Sequence, residues 1–358
     1  MTRTRLFLDE TRRILFAAVM ALAVALIIIL IASKTPFETF QTFIGGPLSS
    51  KRTIGNWIDD SAKLALAGLA FSLVFQARQF ALGVQGQVYI GGMVAAAIAL
   101  SPLGQSWLSI PAGALAAMLA GAFLGFIPGY AKAKLNANEI VSSLMLNYIA
   151  YDFTNLILRL YLASPKSGLT ASEVFPPTAV YPAFIARTRI DLGVVLALGA
   201  VLVVWFLLYR TAWGLKLRLT GNNARFAAYS GIRSNFIMVS AMTVSGAIGG
   251  LLGALFVQGT GFAKIAIGFE AGMTFEGILI AIVARNRPLA IPFVALGYGY
   301  LRQGAALMGY RTDVPAEVIG IVQGVVILLV ASSFTLPGRA LLNRIMGGGS
   351  APSRAASS

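Results

Sequence analysis

Apolar runs close to 20 residues long, separated by short gaps rich in arginine and lysine, constrain this chain more than any other feature. A water-soluble domain has no use for so many unbroken apolar stretches, whereas a helix of that length crosses the roughly 30 Å hydrocarbon layer of a bilayer. Candidate spans lie near residues 14 to 33, 61 to 77, 84 to 101, 109 to 129, 139 to 162, 191 to 209, 236 to 257, 271 to 284, 288 to 307 and 317 to 334. The expected fold is therefore all-α and polytopic, about 10 transmembrane helices over residues 14–335. A cytoplasmic segment, 1–13, precedes them, and a tail, 336–358, follows. From Gly347 that tail reads GGGSAPSRAASS, too polar to bury a core, and it is expected to be largely disordered. With 57% of its 358 residues hydrophobic and 11% charged, the chain has the balance of a lipid-embedded protein.

Composition also removes several kinds of function. A net charge of +15 could point to nucleic acid, but the basic residues sit in gaps between apolar runs rather than on one continuous polar surface. No nucleic-acid partner is expected. Histidine and cysteine are absent, which removes imidazole bases, thiolate nucleophiles, disulfides and the commonest transition-metal ligands together. No cofactor, metal or catalytic residue is expected. Arg3, Arg5, Arg12 and Arg13 precede the first apolar run as in a signal peptide, but that run is long and lacks an A-x-A exit, so it reads as a retained span.

Threading the spans from a cytoplasmic N-terminus puts those arginines, Arg78, Lys132, Lys134, Arg285, Arg287, Arg339, Arg344 and Arg354 on the inner side, with both termini cytoplasmic. The longest inner segment is a polar island, Arg210 to Phe236, carrying Arg210, Lys216, Arg218, Arg225 and Arg233 with no acid. It reads as a docking surface by which an external motor moves the membrane part; attraction to anionic headgroups is the other reading of its arginines. Two long outer segments, Lys34 to Asp60 and Ala163 to Ile190, hold several prolines and suit either lids, a receptor-docking rim or plain connecting loops.

An internal repeat is visible. Ala81 to Ala99 lies over Ala266 to Ala284 without a gap, with Ala81/Ala266, Gly83/Gly268, Gly92/Gly277, Ala96/Ala281 and Ala99/Ala284 identical. The copies are five spans apart, an odd number, so the halves are expected to be inverted. The stretch Ala271 to Ala284 is about 21 Å long as a helix, too short to cross alone, which predicts a broken or re-entrant helix. Interrupted helices at matching places in two halves point to a solute path, since freed backbone groups are tolerated only where protein or water meets them.

Candidate path residues follow from that reasoning. Gln85 and Gln87 in GVQGQ, and Phe269 and Glu270 in GFEAG, combine glycine-rich backbone with polar or aromatic side chains at the expected breaks. Asn138, Glu139, Ser142, Ser143 and Asn147 fall at helical spacing in NANEIVSSLMLNY, marking a polar stripe that serves either a path or interhelical hydrogen bonds. Glu276 is an acid at membrane depth, costing about 2.5 to 3.5 kcal/mol unless paired or hydrated. Arg285, Arg287 or a neighbouring span could pair it. The glycine series at Gly121, Gly125 and Gly129, and at Gly246 with Gly250, predicts close helix contact.

With those residues in view, the chain resembles the membrane permeases of bacterial ATP-binding-cassette importers, in the family serving ribose and other simple sugars, branched-chain amino acids and nucleosides. The resemblance covers about residues 60 to 335. FALGVQGQ is similar to the family's F-N-I-G-x-E-G-Q segment, NEIVSSLMLNYIA to a stretch of nucleoside-type members, and GMTFEGILIAIVARNRPLA to G-x-G-F-x-G-I-A-V-A-L-L-G-x-x-x-P. Gln85 departs from the usual Glu, and Thr274 and Ala284 replace glycines. The resemblance implies a permease subunit for a small neutral polar solute, a nucleoside before a simple sugar. Its ATP hydrolysis would lie in separate ATPase subunits, and no phosphate-binding G-x-x-x-x-G-K-[ST] occurs here. It further implies a second permease subunit, more often a different chain than a copy, and an extracytoplasmic solute-binding protein, all at the bacterial cytoplasmic (inner) membrane. Gly221 to Ile232 would be the coupling region, with Arg218, Gly221, Asn222, Asn223, Arg225, Ala228 and Gly231 on the ATPase contact. An ion-coupled transporter is the rival, with Glu139, Asp152, Glu276 and Glu317 as carriers; a membrane enzyme lacks the cluster of acids or bases it would need.

Overall fold

The computed structural model describes residues 33–312 apart from 166, 167 and 169, with isolated positions at 26, 27, 30, 320, 321 and 324. The expected spans at 14–33 and 317–334, the 1–13 segment and the 336–358 tail lie wholly or almost wholly outside the described residues. Phe40–Arg311 groups as one unit, and the residues before and after it group as another. Among the described residues there are α-helices, isolated β-bridges and no strand. The helices are α1 (Pro36–Gly45), α2 (Lys51–Gln76), α3 (Val84–Leu100), α4 (Ser109–Leu135), α5 (Glu139–Ile157), α6 (Leu192–Arg210), α7 (Ala212–Asn222), α8 (Ala224–Tyr229), α9 (Ser234–Gln258), α10 (Met273–Val283) and α11 (Ile291–Arg311). By length and apolarity α4, α6 and α9 suffice to cross a membrane, while α3 and α10 are shorter apolar helices.

α2 and α9 pack side by side, and each is wrapped by helices of the other half. α9 contacts α3 and α4, whereas α2 contacts α10 and α11. Small residues make the crossings close: a Cβ at Gly121 would lie 2.2 Å from Gly246 O, and one at Gly250 would lie 1.9 Å from Ala117 O. The glycine series thus brings backbones together, as expected of small-residue faces in lipid. Gly277 of α10 meets Ala67 and Gly68 of α2 in the same way.

The segment Lys34 to Asp60 is not one long loop. Ser50 and Thr53 form a reciprocal capping box, with the Ser50 hydroxyl accepting from Thr53 N at 3.2 Å and Thr53 Oγ1 accepting from Ser50 N at 3.1 Å. α2 therefore begins at Lys51 and carries Asp59, Asp60 and Lys63 inside it. Burial of these charges is tolerable because Lys63 Nζ meets Asp59 Oδ2 at 2.7 Å, with side chains only 3% and 6% exposed. The ammonium also lies 5.3 Å from the centre of the Phe256 ring.

The segment 163–191 is a cover rather than a free loop. It runs antiparallel along the chain after α9 through the bridge Ala171 to Ala266 and through Ser172 N to Ile265 O, Phe175 N to Ala263 O and Tyr181 N to Gln258 O. Phe175, Ala179 and Tyr181 of the segment are themselves buried.

Candidate translocation path and docking surface

The long helices fix two ends. α6 leads from the 163–191 cover to the basic island, and α9 leads from the island back to the cover. Contacts gather the basic gaps at the island end: Gly221 abuts Gln76 O of α2, Gln76 Nε2 donates to Asn286 O between Arg285 and Arg287, and Asn235 Nδ2 donates to Ala133 O between Lys132 and Lys134. The cover end carries both signs, since Gly55 of α2 abuts Thr188 and Arg189, near Asp59, Asp60 and Asp191.

Between these ends the two short helices meet by their N-termini. Gln87, in the first turn of α3, touches Gly249 near the middle of α9 and Gly125 of α4. From there α3 runs toward the cover, where Thr178 Oγ1 donates to Gly104 O just beyond it. α10 starts beside α3 and runs the opposite way, passing Ala67 and Gly68 to reach Asn286 at the island end. Breaks in the backbone make this possible: Gly268, Ala271 and Gly272 all have positive φ, at 68°, 48° and 76°, so the chain turns sharply before α10. The first copy breaks elsewhere, at Arg78, with φ of 54°. Gly83 has ordinary φ, and there and at Gly86 the missing side chain gives room to Ser143 and Asn147 of α5.

Gln85 and Glu270 occupy the same position of the two copies, and they touch. Gln85 Nε2 donates to Glu270 Oε1 at 2.7 Å, the Tyr89 hydroxyl approaches the same oxygen at 3.4 Å, and Thr274 N donates to Oε2 at 3.0 Å. Glu270 is 1% exposed. Phe269 is buried with its ring 5.2 Å from Tyr89 and 5.9 Å from Phe256, both edge-on. Gln87 is 5% exposed, and its Oε1 has no hydrogen-bond partner among the described residues.

The remaining residues of the expected path lie along α5 and in α10. Asn147 is buried and fastens α5 to the start of α3, with Nδ2 donating to Leu82 O at 2.7 Å and Oδ1 accepting from Gly86 N at 2.8 Å. Ser143 Oγ accepts from Leu82 N at 2.9 Å. Asn138 caps α5 through Ile140 N, Glu139 pairs with Lys132 at 3.0 Å at the island end, and Ser142 turns its hydroxyl onto Glu139 O. Glu276 pairs with Arg302 of α11, not with Arg285 or Arg287. Sequence reasoning missed Tyr89 as a polar partner, although its place one helical turn after Gln85 was readable.

The island folds into α7 and α8. Thr211 and Asn223 cap them, accepting from Gly214 N at 3.2 Å and Phe226 N at 3.0 Å. Trp213 Nε1 donates to Ser240 Oγ of α9 at 2.8 Å, and the Arg218 guanidinium lies 4.8 Å from the centre of the Tyr209 ring. Within α8, Ala227 is buried. Asn222, Arg225, Ala228 and Gly231 are exposed, as are Phe226 and Tyr229, the latter at 92%. Those two aromatics were not among the expected docking residues; their signal is a pair of large rings within the otherwise basic, polar island.

An all-α membrane protein whose half-length helices meet N-terminus to N-terminus inside it is built as a transport permease. A family model described as branched-chain amino acid transport system / permease component matches residues 53–331, and the chain belongs to that family. It is similar to the guanosine ABC transporter permease protein NupP of Bacillus subtilis, 29% identical over 90% of this chain and 93% of that one. The nucleoside ABC transporter permease protein NupB of Lactococcus lactis is 26% identical over 92% and 93%. The glucose ABC transporter permease protein TsgB13 of Haloferax volcanii is 25% identical over 87% and 85%. Both bacteria supply a second match, NupQ and NupC, each 25% identical over 64% of this chain.

Proposed function

We propose that this permease subunit forms one half of the path of an ATP-driven importer whose solute is a nucleoside. The observation that carries the path is the meeting of α3 and α10 at Gln85 and Glu270, because helix N-termini and broken backbone inside a membrane are tolerated where they line a route for polar solute. Gln85, Gln87, Phe269 and Glu270 line it, with Asn147 and Ser143 holding α3 in place. Relatives named for guanosine and nucleosides favour that cargo over a sugar, for which TsgB13 is the precedent.

The island end faces the cytoplasm, because it gathers Arg78, Lys132, Lys134, Arg285 and Arg287 with the island's own cations, while the cover end mixes signs. Phe226 and Tyr229 give α8 an apolar contact inside a basic rim, the anatomy of a docking site for a separate ATPase subunit. The second permease is a different chain, in line with the paired matches in two bacteria, and a solute-binding protein delivers cargo at the cover end of a bacterial inner membrane. Reconstitution of the full assembly in proteoliposomes tests this: ATP-dependent uptake of radiolabelled guanosine, absent without the ATPase, is expected. Uptake driven by an ion gradient alone, or of glucose in preference to guanosine, overturns the respective part.

A further inference from the structure

Glu270 is a buried acid at membrane depth with no cation beside it; Asp191, also buried and held by neutral donors alone, caps α6 at the cover end instead. The other buried or half-buried acids that pair find Lys63, Lys132 or Arg302, yet among the described residues no lysine or arginine pairs with Glu270. It is held by neutral donors alone, and two of the three, Gln85 and Tyr89, belong to the other repeat. An anion shut away from water keeps its donors or replaces them. If α3 and α10 separate, Oε1 loses both partners at once, while Oε2 keeps Thr274 N, which moves with α10.

We propose that the Gln85–Glu270 contact is a latch across the solute path, opened productively only when N–H or O–H donors of the solute replace Gln85 and Tyr89 on Glu270 Oε1. This rests on the reading of the chain as a path-forming permease and adds to it a residue that ties opening to cargo. The repeat makes the latch lopsided: one equivalent position supplies an amide, which both donates and accepts, and the other a carboxylate, which only accepts. Two carboxylates at this spacing would repel, so the amide at position 85 is what lets the halves close. Opening without cargo strands the carboxylate, and that penalty restrains futile cycling.

The prediction is a pattern in solute-free ATP hydrolysis by the full reconstituted assembly, read beside guanosine uptake. Gln85→Glu puts two acids face to face, and Glu270→Gln removes the stranded charge; each raises solute-free hydrolysis and lowers guanosine imported per ATP by about tenfold, the scale of one buried hydrogen bond to a charged group. The exchange Gln85→Glu with Glu270→Gln restores one acid and one amide: Tyr89 still reaches position 85 one turn away, and the amide oxygen at 270 still accepts from Thr274 N. On separation the acid at position 85 keeps Tyr89, which moves with it, and loses only the amide, so coupling is expected to return in part, above either single variant. If the exchange stays as uncoupled as either single variant, or both single variants couple like the parent, the latch is wrong and Glu270 only caps α10. Should Gln85→Glu fail to assemble, Glu270→Gln and the exchange carry the test. A parent that imports no guanosine while the hydrolysis pattern holds removes the nucleoside cargo and leaves the latch.

Discussion

Replacing Lys63 by methionine should destabilise the protein far more than replacing its partner Asp59 by leucine. The two form an ion pair at 2.7 Å that is almost completely buried. Removing one member of such a pair leaves an uncompensated charge, at a cost of about 3 to 5 kcal/mol. The two removals are not equivalent, because Lys63 also lies within electrostatic range of Asp60. Without Asp59 the ammonium keeps an acid beside it and the ring of Phe256, so the loss is nearer that of one charged hydrogen bond, about 2 kcal/mol. Without Lys63 two adjacent acids are left without it, and the upper end of the range applies. At about 2 °C per kcal/mol, Lys63→Met should lower the midpoint of thermal unfolding by roughly 10 °C and Asp59→Leu by roughly 4 °C. The double variant, apolar on both sides, should recover to within about 2 kcal/mol of the parent. Tryptophan fluorescence during heating of the detergent-solubilised protein reads these shifts. A Lys63→Met midpoint within 2 °C of the parent, or a double variant no better than Lys63→Met, would refute the burial argument.

Asn147→Ala leaves Leu82 O and Gly86 N without partners in the interior and should cost about 2 to 4 kcal/mol, visible as a lowered unfolding midpoint. Gly121→Val drives a side chain into Gly246 O at the α4–α9 crossing and should lower the yield of folded monodisperse protein, while Gly199→Val, with nothing within 4 Å, should not. Paired charge reversal, Arg218→Glu with Arg225→Glu, should abolish uptake without preventing membrane insertion, and Tyr229→Ser should weaken co-purification of the ATPase subunit with the unfolding midpoint unchanged; normal uptake and co-purification would remove the docking surface from α7 and α8.

Most of the helices were legible because lipid leaves the backbone few options: an apolar run must satisfy its own N–H and C=O groups, and α3, α4, α5, α6, α9 and α10 begin within a few residues of the expected spans. α2 was not, since hydropathy treats Asp59, Asp60 and Lys63 as an end, while an i to i+4 ion pair hides them inside the helix. The polar stripe after Asn138 was visible as a stripe, but spacing cannot tell a solute path from a fastening. Asn147 and Ser143 fasten α3, and Glu139 pairs with Lys132.

By itself, then, the sequence determined the solvent, the helices, the duplication and the basic end, all of which follow from local apolarity, charge and spacing. Only the tertiary structure decided which polar groups face one another: Gln85 with Glu270, Glu276 with Arg302, Gly221 against the end of α2. Those partners lie far apart in the chain and meet because helices of each half wrap the long helix of the other, and no local pattern encodes that exchange.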